Sequence, residues 1–100
     1  MYVAMNRFKV KLGQEDTFID IWKNRETFLA EVEGFTQFNL MQGATDDECT
    51  LFASHSVWES ETAFINWTKS EAFRKAHANA KPATDIYLGP PKFEGFKAVI

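Results

Sequence analysis

Residues 2–32, YVAMNRFKVKLGQEDTFIDIWKNRETFLAEV, change their hydrophobic period halfway along, and that change decides the fold. In residues 2–11 the side chains alternate. Tyr2, Ala4, Asn6, Phe8 and Val10 share one face and Val3, Met5, Arg7 and Lys9 the other, as in a strand buried on one side. Gly13 closes that run. Over residues 15–32 the apolar positions recur at spacings of three and four: Phe18, Ile21, Trp22, Phe28, Leu29 and Val32, with Arg25 in the same stripe. That period predicts one long amphipathic helix ended by Gly34 as a C-cap.

Working outward, residues 35–42 and 51–58 read as two more strands. The intervening GATDDEC at 43–49 has the composition of a hairpin turn. Ser60 is placed to cap a short helix with Phe64 and Trp67 on one face. Ser70 is placed to cap another, with Phe73 and His77 one turn apart. Residues 79–91 hold all three prolines, Pro82, Pro90 and Pro91, and read as a loop. Residues 92–100 alternate well enough for a fourth strand, with Gly95 as a bulge. The order is βαββαβ, an α+β ferredoxin-like fold with helices on one face of an antiparallel sheet. No repeat or linker divides the chain, so residues 1–100 are expected to form one domain.

Composition narrows the function classes. Fifteen of the 100 residues are aromatic, ten of them Phe, enough bulk for a packed core. A net charge of −3 argues against a nucleic-acid or anionic-membrane partner. No run approaches the ~18 apolar residues of a membrane span. No leader-like segment opens the chain, and a lone Cys49 forms no internal disulfide, so the expected location is the cytoplasm.

Few residues offer chemistry. His77, near the end of a short helix, is either an exposed histidine favoured by the helix dipole or an imidazole suited to a haem iron. Asn6 lies between Ala4 and Phe8, where a buried carboxamide needs a partner, from the backbone, from water at a sheet edge or from a ligand. Arg25 interrupts an inward-facing stripe, so it either snorkels to water or meets a carboxylate-bearing ligand. Trp67 beside Phe64 reads as core. His55, central in a strand, reads as structural or surface. The acids Asp46, Asp47 and Glu48 read as a solvated turn, and Cys49 beside them as an inert thiol.

The segments VWESETAFINW at 57–67 and SEAFRKAH at 70–77 resemble the IsdG-type haem-degrading monooxygenases, part of the antibiotic-biosynthesis-monooxygenase superfamily of dimeric α+β barrels. Residues 31–35, EVEGF, are similar to that family too, and the likeness spans essentially the whole chain. The specific signal is the trio Asn6, Trp67 and His77; the W-E-S-x-x-A-F-x-x-W pattern by itself marks only the superfamily.

The resemblance implies an enzyme for which haem is both cofactor and substrate. His77 would be the proximal iron ligand, Asn6 a donor toward the distal ligand, and Trp67 the group that ruffles the porphyrin. Trp22, Arg25 and Phe64 would line the pocket, with Arg25 pairing a propionate. Dioxygen and an external electron donor would open the ring to a bilin-type product and release iron. A homodimer is expected, since pairing two sheets into a barrel removes exposed edges. Two other readings stay open: a cofactor-independent monooxygenase of an aromatic or quinol substrate, and a non-catalytic haem-binding protein.

Overall fold

A computed structural model describes residues 1–25, 29–78 and 84–100, the side chains of 76–78 and 84 excepted. Four strands, β1 (Tyr2–Lys11), β2 (Phe35–Thr45), β3 (Cys49–Trp58) and β4 (Lys92–Lys97), form one sheet in the order β2-β3-β1-β4. Every neighbouring pair is antiparallel. Helix α1 (Glu15–Lys23) follows β1, and helices α2 (Glu61–Thr68) and α3 (Glu71–Ala78) follow β3. This is the βαββαβ ferredoxin-like arrangement expected from the sequence, its second helix broken in two. The break is local chemistry. The Ser70 hydroxyl donates to the Trp67 carbonyl at 2.6 Å, and accepts the Phe73 backbone N–H at 3.2 Å. One side chain thus ends α2 and caps α3. Ser60 caps α2 as predicted, accepting the Ala63 N–H at 3.1 Å.

The long helix expected over 15–32 is shorter. It ends at Lys23, where the Asn24 side-chain amide and backbone N–H both donate to the Asp20 carbonyl, at 2.9 and 3.1 Å. The Arg25 N–H then bonds the Trp22 carbonyl at 3.3 Å, a tighter turn that closes the helix. Leu29–Glu31 is a separate 3₁₀ turn, and Phe28 lies outside the described residues. Gly34 therefore caps no α-helix. Its φ of +83° turns the chain into β2, and a Cβ there would stand 2.5 Å from that of Ala63.

The last strand stops at Lys97 rather than at residue 100, and no bulge occurs at Gly95. Its register with β1 runs unbroken, Tyr2 opposite Lys97 and Ala4 opposite Gly95. What needs the glycine is Tyr2, whose ring lies over it: a Cβ would stand 2.8 Å from the tyrosine Cζ and closer still to its hydroxyl. Within the expected loop, Thr84–Ile86 is a 3₁₀ turn and Tyr87 bridges Val10; residues 79–83 lie outside the described residues.

Side chains of even number on β1 and β3 face the helices. Two aromatic clusters form there. One joins Tyr2, Ala4, Leu29 and Trp58; the other joins Val10, Phe18, Phe52 and Ile86. The opposite face, with Val3, Met5, His55 and Val57 half-buried and Phe96 half-exposed, carries no helix among the described residues.

Candidate active site

The register of β1 on β3 explains why a cavity lies between the two clusters. Along the helix-facing side the cross-strand pairs run Tyr2 with Trp58, Ala4 with Ser56, Asn6 with Ser54, and Phe8 with Phe52. Both ends hold large rings and the middle holds small side chains. Rings packed at either end keep the helices off the sheet, and the small pairs between them leave a trough. Its volume is about 310 Å³, within the range of small-molecule sites.

Aromatic side chains from five elements wall the trough. Trp22 of α1 stacks on Phe38 of β2, centroids 5.7 Å apart and planes 22° apart. Phe64 of α2 lies parallel to Phe93 of β4 at 5.7 Å. Trp67, in the last turn of α2, packs on Trp58 at 5.3 Å and meets Phe73 of α3 edge-on at 4.8 Å. The Ser70 junction between the helices produces that last contact. Flat apolar walls of this kind suit a planar aromatic ligand.

The polar groups are few and concentrated. Arg25 lines the trough with its guanidinium carbon 4.7 Å from the centroid of the Trp22 ring. Burial pushes its pKa below the ordinary arginine value, with Tyr87 pulling the other way; the guanidinium still carries its charge. Burial likewise holds the Tyr87 hydroxyl above its usual range, against the pull of Arg25, so it stays a neutral phenol. Among the described residues no carboxylate pairs with Arg25; the ion pair found there joins Arg7 to Glu94 on the other face. On the floor, the Ser56 hydroxyl donates to the Ala4 carbonyl at 3.3 Å and accepts the Trp58 indole N–H at 2.9 Å. Asn6 and Ser54 also line the floor.

Five of the six residues singled out from the sequence, Asn6, Trp22, Arg25, Phe64 and Trp67, thus line one cavity. His77 belongs to α3, one turn beyond Phe73, which lines the same cavity; the His77 side chain lies outside the described residues. His55 points from the opposite face of the sheet, paired in register with Met5 and Asn39. Sequence reasoning missed Ser54, Ser56, Phe38 and Phe93. The alternation Phe52, Ser54, Ser56, Trp58 was the available signal for the two serines, placing both on the buried face of β3.

The remaining candidates are structural. Asp46 accepts the backbone N–H groups of Glu48 and Cys49 at 2.8 and 2.9 Å, which holds its carboxyl below the usual range and fixes the hairpin turn. Burial first, and Asp46 second, push the Cys49 thiol up, so it is protonated and unreactive at neutral pH. Among the described residues no group of His, Cys, Asp and Glu is placed to hold a metal ion. A wider groove of about 600 Å³ runs past Arg7, Lys9, Lys92 and Glu94, but no aromatic ring lines it.

The donor set of the trough fits haem. Aromatic walls match the porphyrin faces, a half-buried cation with no carboxylate partner among the described residues matches a propionate, and Asn6 offers a hydrogen bond inside an apolar site. Comparison with known proteins points the same way. The antibiotic biosynthesis monooxygenase profile matches residues 1–79. Two haem-degrading monooxygenases, from Listeria welshimeri and from Listeria monocytogenes serotype 4a, are each 44% identical over 88 residues, spanning 81% of this chain and 73% of the relative. Among solved structures, the haem degrader MhuD of Mycobacterium tuberculosis, with two haems bound in its active site, superposes with a TM-score of 0.75. It is 25% identical, with 100% of this chain and 97% of that one covered.

Proposed function

Because the chain belongs to the antibiotic biosynthesis monooxygenase family, alongside the Listeria haem-degrading monooxygenases, we propose that it is a haem-degrading monooxygenase acting in the aromatic trough. The observation that carries this reading is the convergence of Asn6, Trp22, Arg25, Phe64 and Trp67 on one cavity. Haem, when bound, supplies the iron at which dioxygen is activated and the ring that is opened to a bilin-type product, with iron released.

The protein's own residues bind and orient. His77, on α3, would be the residue that ligates the iron, and an imidazole there would give a weaker electronic push than a thiolate. Trp22 and Phe64 hold the ring between apolar faces. Trp67 is fixed between Trp58 and Phe73, and from there it would press on a bound porphyrin and bend it. The Asn6 amide donates a hydrogen bond on the sheet side without being an acid, so it polarises without delivering a proton. Arg25 pairs with a propionate as a charge-assisted hydrogen bond.

The working unit is a homodimer. The helix-free face of the sheet presents Val3, Met5, Val57 and the half-exposed Met41 and Phe96, with the buried His55 Nδ1 lacking a partner among the described residues. A second copy of that face covers all of these. A monomeric mass by light scattering at micromolar concentration would overturn it. The electron donor is an external reductant. No described helix is long and apolar enough to cross a membrane, and the single, unreactive Cys49 suits the reducing cytoplasm.

The decisive experiment is a haemin titration followed by reductant under air. Ligation shifts the Soret band, and ring opening then bleaches it with iron release. No shift would favour a cofactor-independent monooxygenase, and a stable spectrum a haem carrier. His77→Ala should lose the histidine-ligated spectrum and ring opening. His55→Ala, altered on the opposite face, should keep the spectrum. The reverse outcome would remove His77 from the site.

A further inference from the structure

We propose that Ser54 is a second hydrogen-bond donor beside Asn6, serving a small acceptor ligand on the sheet-facing side of the bound haem. The proposal rests on the haem reading above and assigns a role to a residue outside the five that carry it.

Three observations converge on Ser54. It is only 8% exposed, yet it lines the trough. It stands directly across from Asn6 in the β1–β3 register, on the same face, so the two side chains are cross-strand neighbours. Among the described residues neither the Ser54 hydroxyl nor the Asn6 amide makes a side-chain hydrogen bond. Ser56, two positions along the same strand face, shows the contrast, since its hydroxyl bonds both the Ala4 carbonyl and the Trp58 indole.

The Ser54 hydroxyl is not sealed in the core but opens into the trough, where water or a ligand can serve it. The helix-side walls are mainly the rings of Trp22, Phe64 and Trp67, and among the described residues neither of their polar groups, Arg25 and Thr68, bonds Ser54. A ligand that displaces that water must offer the hydroxyl an acceptor in its place. Haem offers two kinds. Arg25 on the α1 side would take a propionate, so the acceptor for Ser54 would be a small ligand of the iron on the side of the sheet. Two donors from adjacent strands, Asn6 and Ser54, then converge on one acceptor and fix its direction over the ring. The chemical class recognised is a small anionic or strongly polar axial ligand, and fluoride is its simplest probe, a single atom that only accepts.

The test is fluoride binding to the ferric haem-loaded protein at saturating haem, followed by the visible spectrum at one pH. Ser54→Ala should raise the fluoride Kd roughly tenfold or more, the loss expected for a hydrogen bond to a charged acceptor. Ser54→Thr keeps the hydroxyl and should restore most of the affinity. Asn6→Ala combined with Ser54→Ala should be weaker than either single variant. Fluoride affinity indifferent to Ser54→Ala, with Asn6→Ala alone weakening it, would overturn the proposal and make Ser54 a space-filling residue. Failure of haemin to give a histidine-ligated spectrum in the unmodified protein would instead overturn the haem reading, and this proposal with it.

Discussion

Arg25→Ala separates a ligand-binding cation from a snorkelling one, and the structure sets the size of the effect. Without ligand the guanidinium lies half-buried on Trp22, with no carboxylate partner among the described residues. Removing it forfeits a cation–π contact of about 0.5–1 kcal/mol and relieves some burial of charge, so the apo fold should scarcely change. With a propionate about 4 Å away, the attraction is about 1 kcal/mol in bulk water and about 4 kcal/mol at an effective dielectric of 20. Half-burial lies between these limits. After the ordering of both groups, about 1–3 kcal/mol remains, or roughly 5–150-fold in haemin Kd. The assay is Soret titration of wild type and Arg25→Ala with haemin and with haem dimethyl ester, which lacks the propionate charges. Wild type should prefer haemin, and Arg25→Ala should lose that preference while binding the ester almost unchanged. Arg25→Lys should recover part of it, since an ammonium supplies charge without the guanidinium fork. Equal weakening toward both ligands would show that Arg25 only packs on Trp22, and unchanged haemin affinity would return it to solvent.

Other expectations follow from the packing. Trp67→Ala removes a half-buried indole from Trp58 and Phe73 and should destabilise the fold by about 2–3 kcal/mol, below the range for a fully buried aromatic. It should still bind haem but bleach it slowly under reductant, and an unchanged rate at equal occupancy would make the indole core only. Gly95→Ala drives a methyl into the Tyr2 ring and should lower stability by about 1–3 kcal/mol in urea denaturation; an unaltered midpoint would mean that Tyr2 swings aside freely. Glu15 accepts the Gly13 N–H and the Thr50 hydroxyl, each at 2.9 Å, and its own backbone N–H, followed by Thr50, holds its carboxyl below the usual range. A depressed folded pKa means stability present above the unfolded value and lost as pH falls through the folded one. Glu15→Gln should therefore be less stable than wild type at neutral pH, the gap closing as pH drops below about 4, and a gap constant with pH would refute the linkage.

Much of the site was legible in the chain because its signals are local. Period two marked the buried face of β1 and so set Asn6 among Tyr2, Ala4, Phe8 and Val10. Period 3.6 placed Trp22 and Arg25 on one helix face, and Ser60 and Ser70 announced the starts of α2 and α3. The length of α1 was not legible, because apolar spacing continues through Leu29 while the Asn24 amide and a 3₁₀ turn end the helix at Lys23. Nor was the role of Gly95, which looked like a bulge and is instead the space under the Tyr2 ring.

What the chain by itself determined was therefore the set of elements, their order and the inward faces, since each depends on neighbours within a turn or a pleat. What only the tertiary structure decided was which inward residues meet. Ser54 lies 48 positions from Asn6 in the sequence (54 − 6), and nothing local joins them. The antiparallel register of β3 on β1 sets them side by side and aligns the small pairs between the large ones. A one-residue slip would move the whole set to the other face. The cavity exists because the two ring clusters hold the helices off the sheet, a packing result that no single strand or helix contains.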